Sequence, residues 1–253
     1  MSLSIDLSGK TVLVTGASQG IGAQMVRTFH QAGAAVVLNH PDLGTTARDA
    51  GLIADELNAV RPASAHVVAA DVADPTSVQS MMSRIADDFG GLDFLINNAA
   101  IIKDRTVSKM SLEEWHSVLD VDLTGVFHCC KFALEVMRDG GAIVNMGSIA
   151  AIQGFFGQAN YAAAKGGVLA MTRVLSRESA RRNIRVNAIA PGVISTAMAA
   201  TIPDTVRAEM MKNIPLNRFG DTSEIASVAL FLCSPLASYV TGQTLEVNGG
   251  WRG

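Results

Sequence analysis

Short β-branched runs alternate with longer amphipathic stretches along the whole chain. Residues 11–15, 35–39, 66–69, 94–96, 142–146, 185–189 and 244–247 read as strands. Helical periodicity fills the intervals at 20–32, 45–60, 75–89, 112–138, 158–182 and 223–233. This rhythm builds β-α-β crossovers, and crossovers imply one parallel sheet with helices on both faces. Asp74 before Pro75 is a helix start, because proline fits the first helical position. Ser111 with Glu114 three residues on reads as a capping box. No linker, repeat or low-complexity tract divides the chain, so residues 1–253 are read as one domain. The segment expected to be irregular is 191–215. It carries Met198, Met210 and Met211, which either fill the core or line an apolar substrate site.

Composition sharpens the picture. Hydrophobic residues make up 49% of the 253, which suits strands buried on both faces. Twenty basic and 23 acidic residues leave a net charge of -3 with no basic block, so no nucleic-acid or anionic-membrane partner is expected. Cys129, Cys130 and Cys233 cannot all pair, which fits a reducing, cytoplasmic location. The amino-terminal residues show no signal pattern, and no apolar run reaches the ~18 residues of a membrane span. The five histidines and three cysteines have no metal-ligand spacing, so no metal is expected.

The first strand runs into Thr15-Gly16-Ala17-Ser18-Gln19-Gly20-Ile21-Gly22, which opens the first helix. Glycines there let backbone approach a pyrophosphate, and the helix N-terminus favours the anion. The alternative is a tight turn without a ligand. Asp71-Val72 ends the third strand, where the carboxylate either accepts from an adenine amine or caps a helix. Asn97-Asn98-Ala99-Ala100 ends the fourth strand, at the edge where open α/β sheets bind ligands. It suits a ribose; a plain polar turn is the other reading. The second strand ends in Asn39-His40-Pro41, with no carboxylate to hold a ribose 2′-hydroxyl or repel a 2′-phosphate. That favours NADP(H) over NAD(H), with Ser18 and His40 as phosphate donors. Gln19 supplies no cation to the same end.

Tyr161 and Lys165 are four apart on a helical stretch and so share a face. An ammonium there stabilises phenolate and fits the tyrosine for acid–base work near neutrality. Ser148, thirteen residues earlier and just past the fifth strand, can hydrogen-bond an oxygen that gains charge. Taken singly, each is an ordinary helix or turn residue; together at one sheet edge they suggest catalysis.

TGASQGIG, NNAA, the NMGS–YAAAK pair, RVNAIAPG and TGQTLEVNGG, in that order, resemble the short-chain dehydrogenase/reductase family in its single-domain branch. The resemblance spans residues 9–250. It implies a Rossmann-type doubly wound α/β sheet of about seven strands. It implies that Tyr161 donates a proton to a ketone, Ser148 polarises it, and Lys165 holds the nicotinamide ribose. It also implies that Pro191, Gly192, Val193 and Thr196 hold the carboxamide, with Ile21 near the pyrophosphate and Asn98 near the ribose. Where the family has an Asn as the fourth member of its proton relay, this chain has Asp122, which accepts but does not donate when ionised. Asp122 is expected to hold a water in that relay. Ala100 replaces the family's glycine in NNAG.

Stretches around residues 103–127 and 154–167 resemble β-ketoacyl reductases. The expected substrate is therefore a 3-oxoacyl thioester, with an acyl carrier protein as a candidate partner and Lys131, Arg138, Arg173 and Arg177 as its candidate landing surface. A general ketone or alcohol reductase is the alternative. A catalytically silent dinucleotide-binding scaffold is a third reading, and the intact Ser148, Tyr161 and Lys165 speak against it. Phe155 and Phe156 are candidate walls of the pocket. Residues 152–158 and 197–215 are expected to set substrate identity, the segment 191–215 acting as a covering loop. The family resemblance implies a homotetramer joined through the two long helices and the last strand.

Overall fold

A computed structural model of the chain describes residues 5–196 and 204–251. Seven strands form one sheet: β1 (Thr11–Val14), β2 (Ala35–His40), β3 (Ala65–Ala69), β4 (Leu92–Asn97), β5 (Met137–Met146), β6 (Arg185–Pro191) and β7 (Thr244–Val247). Their spatial order is β3-β2-β1-β4-β5-β6-β7, and every pair is parallel. Successive strands step outward from β1 in one direction and then, from β4, in the other. That reversal leaves a crevice outside the carboxyl ends of β1 and β4, where the crossovers leave on opposite faces.

The helices are α1 (Gly20–Gln31), α2 (Thr46–Val60), α3 (Pro75–Phe89), α4 (Leu112–Leu119), α5 (Gly125–Val136), α6 (Ala150–Gln153), α7 (Ala159–Glu178), α8 (Asp204–Lys212) and α9 (Thr222–Cys233). Strand alternation sends Val12 and Val14 to one face and Leu13 to the other. The first face packs against α1, α2 and α9 through Phe29, Ile53 and Leu232. The second packs against α3, α5 and α7 through Met81, Cys129 and Val168. Burial on both faces explains why the strands are continuous apolar runs.

Both predicted caps are present. Asp74 accepts from the Thr76 N–H at 3.0 Å, and Ser111 and Glu114 exchange bonds of 3.0 and 2.9 Å. The stretch 112–138 is not the single helix its periodicity predicts. A π-helical turn, Asp120–Thr124, interrupts it between α4 and α5. The helix then stops at Val136, because Met137 pairs with Leu92 as the first residue of β5. The long helix predicted at 158–182 ends at Glu178, followed by a 3-10 turn, Ala180–Arg182.

Helix α8 stands in part of the segment expected to be irregular. Met210 and Met211 pack on a small cluster of Ile149, Ile214, Phe219 and Trp251, so in the structure they are packing residues. Met198 and the rest of 197–203 lie outside the described residues. Among the described residues no helix is long and apolar enough to cross a membrane, and no group of three or more His, Cys, Asp or Glu side chains is placed to hold a metal.

Candidate active site

The glycine turn lies where β1 meets α1. Gly16 and Gly20 take φ of +62° and +56°, which side chains resist. A Cβ on Gly16 would lie 2.8 Å from the Ala99 Cα, and one on Gly22 would run into the Gly16 carbonyl oxygen. The NNAA segment therefore lies directly on the turn. The Asn98 amide donates to the Thr15 and Gly16 carbonyls at 2.9 and 3.0 Å, and the Thr15 hydroxyl oxygen accepts the N–H groups of Asn98 and Ala99. The Asn98 amide nitrogen is thus engaged with the turn itself.

Helix α1 begins without a side-chain cap and without an acidic residue in its first turn. Its leading N–H groups and positive dipole end are left for an anion. Gly20 faces open space apart from Thr196, whose methyl would lie 3.8 Å from a Cβ there. Ser18, Gln19, Gly20 and Thr196 line one cleft of about 480 Å³. Ile21 packs against the core beneath it. These features fit a dinucleotide's pyrophosphate.

The end of β2 is more occupied than its sequence suggests. Asn39 is buried; its amide donates to the Ala70 carbonyl at 2.9 Å and its oxygen faces the Gly16 N–H at 3.4 Å. His40 is buried too, and its Nδ1 accepts the Asp42 N–H at 3.0 Å. Asp71 is exposed, and its carboxylate accepts the Ala73 N–H at 2.9 Å. Val72 is buried against Gly125, where a Cβ would lie 2.8 Å from its side chain. Ala100 is exposed, so the extra methyl meets no packing cost.

Ser148 follows the carboxyl end of β5, and its oxygen accepts the Ala150 N–H at 3.1 Å as α6 begins. The preceding sheet edge is tied across to β6, since the Ile149 N–H reaches the Pro191 carbonyl at 3.1 Å. Beyond it Gly192 donates to the Val247 carbonyl at 2.9 Å, with Val193 half-buried beside it. Tyr161 and Lys165 lie in the first turns of α7, and the Lys165 ammonium is 5.5 Å from the centre of the Tyr161 ring. Lys165 is fully buried, as is Asp122, whose Oδ2 lies 3.4 Å from it. The Asp122 Oδ1 accepts the Ile101 N–H at 2.8 Å. Burial pushes the Asp122 carboxyl above the usual carboxylate range, against the pull of Lys165 and of the Ile101 N–H. Asp122, expected as an acceptor in the relay, faces a lysine and a backbone amide.

Asn160 has no part in the motifs, yet it is fully buried beside Tyr161. Its amide donates to the Lys103 and Glu114 carbonyls at 3.0 and 3.1 Å, and its oxygen accepts the Tyr161 N–H at 2.8 Å. Spacing holds the signal: 160, 164 and 168 form one buried helical stripe in which Asn160 is the lone amide. Phe155 stacks edge-on against Trp251 with centroids 5.5 Å apart, whereas Phe156 is 93% exposed. Of the two, the first is packed and the second projects into solvent. Arg138 leaves the suggested landing surface: it pairs with Asp93 at 2.5 Å, near the amino ends of β4 and β5 and opposite the site.

A family model described as enoyl-(acyl carrier protein) reductase matches residues 16–252. The 3-oxoacyl-[acyl-carrier-protein] reductase of Vibrio cholerae serotype O1 is 40% identical over 248 residues, 97% of this chain and 98% of that one. Its counterpart from Aquifex aeolicus is 39% identical over 250 residues, 98% and 99%. Among solved structures, a short-chain dehydrogenase/reductase described as glucose/ribitol dehydrogenase, from Brucella melitensis, superposes with a TM-score of 0.93 at 37% identity, covering 99% of this chain and all of that one. A blue fluorescent protein from a metagenomic library, in complex with NADPH, gives 0.92 at 33%, covering 98% and 100%.

Proposed function

The chain belongs to the short-chain dehydrogenase/reductase family and is an oxidoreductase of the C=O/CH–OH pair, and on that premise we propose that it reduces the ketone of a 3-oxoacyl thioester, with NADP(H) preferred to NAD(H). The observation that carries the chemistry is the Lys165 ammonium lying 5.5 Å from the Tyr161 ring at the carboxyl edge of the sheet. The full-length likeness to two 3-oxoacyl-[acyl-carrier-protein] reductases supports the substrate class. The family model's description names an enoyl reductase, but a Tyr and a Lys four apart suit proton delivery to a ketone.

The dinucleotide, when bound, supplies the hydride. The chain's own residues do the rest. The α1 N-terminus and the glycine turn would receive the pyrophosphate, and Val193 and Thr196 would hold the carboxamide. Ser148 donates a hydrogen bond to the ketone oxygen. Tyr161 passes its proton to that oxygen as charge develops there, so the tyrosine O–H bond breaks and a new O–H bond forms on the former carbonyl oxygen. Lys165 stabilises the phenolate left behind until it is reprotonated. The missing carboxylate at the end of β2 underlies the choice of NADP(H).

Acyl carrier protein is the proposed donor of the thioester, with Lys131, Arg173 and Arg177, all exposed, as its remaining basic contacts. A homotetramer would cover the exposed Phe127 of α5 and Val174 of α7. A cytoplasmic location suits three cysteines that are free and buried.

The test is the initial rate of NADPH oxidation with acetoacetyl-CoA, with NADH and Tyr161→Phe alongside. Turnover that prefers NADPH and is lost in Tyr161→Phe supports the proposal. Silence with acetoacetyl-CoA but turnover of small ketones moves the substrate to a general carbonyl compound. Cofactor binding without turnover of any ketone would overturn it.

A further inference from the structure

We infer that Asp122 is a positioning residue that acts through charge: its carboxylate offsets the Lys165 ammonium and so moves the pH range of the reaction upward. This rests on the catalytic reading of Tyr161 and Lys165 given above.

Both side chains are out of solvent, at 0% and 1% exposure. Their separation of 3.4 Å is long for a charge-assisted bond, and among the described residues the Asp122 Oδ2 has no hydrogen-bond partner. The contact is therefore mainly Coulombic. The Asp122 Oδ1, by contrast, is held by the Ile101 N–H at 2.8 Å. An amide at this position would accept that same bond equally well. What the carboxylate adds is one negative charge in a site where solvent screens little. Lys165 steadies the Tyr161 phenolate by its positive charge, so a carboxylate against it weakens that effect.

No other charge competes. The π turn packs against α4, α5 and α7. On α4, Glu114 is engaged with Arg105 and Ser111, while Glu113 and His116 are exposed. On α5, His128 bonds the Val72 carbonyl, Cys130 takes the Asn97 amide, Cys129 is a buried thiol, and Lys131 and Glu135 are exposed. On α7, Arg173, Arg177 and Glu178 are exposed. The neighbouring segment carries Lys103, half-buried, with Asp104 and Arg105, both exposed. Lys165 is the charged side chain in contact with Asp122, and Asp120 of the same turn is exposed.

The experiment uses the chain's two tyrosines. Tyr239 is fully exposed and outside the site, so a Tyr239→Phe background leaves Tyr161 as the only source of a tyrosinate absorbance signal. That signal is followed against pH with Asp122 present, in Asp122→Asn and in Asp122→Ser, which serves if the first variant folds poorly. Removing the charge is expected to bring the tyrosinate signal on at a hydrogen-ion concentration about tenfold higher. The alkaline decline of ketone reduction should move by the same factor. Superimposable tyrosinate curves would overturn the inference, because a purely structural Asp122 leaves them in place. If the curves shift while no ketone is reduced, the charge coupling stands and the catalytic reading is what fails.

Discussion

The side-chain oxygen of Asn160 accepts the backbone N–H of Tyr161 at 2.8 Å, while its amide reaches two carbonyls, those of Lys103 and Glu114. One buried residue thus ties the start of α7 to α4 and to the loop after β4. Asn160→Ala leaves three backbone groups without those partners. It is expected to cost about 1–3 kcal/mol of stability. It should also lower kcat roughly tenfold to hundredfold by loosening Tyr161, with cofactor affinity little changed. Thermal denaturation and steady-state kinetics on the same sample check both.

Gly22 has no room for a side chain. A Cβ there would strike the Gly16 carbonyl oxygen and lie 2.6 Å from the Asn98 Nδ2. Gly22→Ala should force the turn away from Asn98, at a cost of about 1–3 kcal/mol. Dinucleotide affinity, measured by quenching of intrinsic fluorescence on titration with NADPH, should fall at least tenfold.

The burial that raises the Asp122 carboxyl makes the folded state bind that proton more tightly than the unfolded chain does. The resulting stabilisation is complete below the unfolded value, near ~4, and is lost as pH rises through the folded value. Relative to Asp122→Asn, the wild type should therefore lose Tm as pH climbs from about 4 toward 7. A constant Tm difference across that range would contradict the assignment.

Glu224 shows the opposite sign. Arg218 and the Asp221 N–H hold its carboxyl at about 2. Its contribution is present above the unfolded value, near ~4.3, and is lost as pH falls toward the folded one. The pair is well exposed, so Glu224→Gln should cost under about 1 kcal/mol at neutral pH. That cost should vanish in denaturant titrations repeated at progressively lower pH.

Burial pushes the thiols of Cys130 and Cys233 up to about 12 and raises that of Cys129 as well. Thiolate is the reactive form, so none of the three should alkylate at neutral pH in the folded protein. All three should react once denaturant is added. Counting labelled thiols by mass spectrometry before and after unfolding checks this.

The sheet was readable because every strand contains a short apolar run and most intervening helices keep their period. The π turn was not, because an interruption at Asp120–Thr124 leaves the apolar pattern of 112–136 almost unbroken. Helix α6 is only four residues long, too short to show a period. Glycine spacing and the Tyr161–Lys165 interval pointed to the site because both are local. Asn160 and the Asp122–Lys165 pair were hidden for the opposite reason. Their partners lie far away in sequence, and a buried amide or carboxylate looks like a surface residue until the fold closes over it. The same holds at Asn39 and Asn98, whose amides proved to be tied to backbone carbonyls at the sheet edge.

Trp251 is buried against Phe155, in the cluster that holds Ile149, Ile214 and Phe219 together. The ribosome delivers these partners far apart in time. Residues 149–155 emerge early, with Ser148 and Tyr161 on either side, and must wait for the ring that covers them. The glycine turn and β1–β4 can form while the chain is still being made. The aromatic contact between Phe155 and Trp251 cannot. The packing around residues 149–155 therefore closes only after residue 251 has been made, later than the glycine turn.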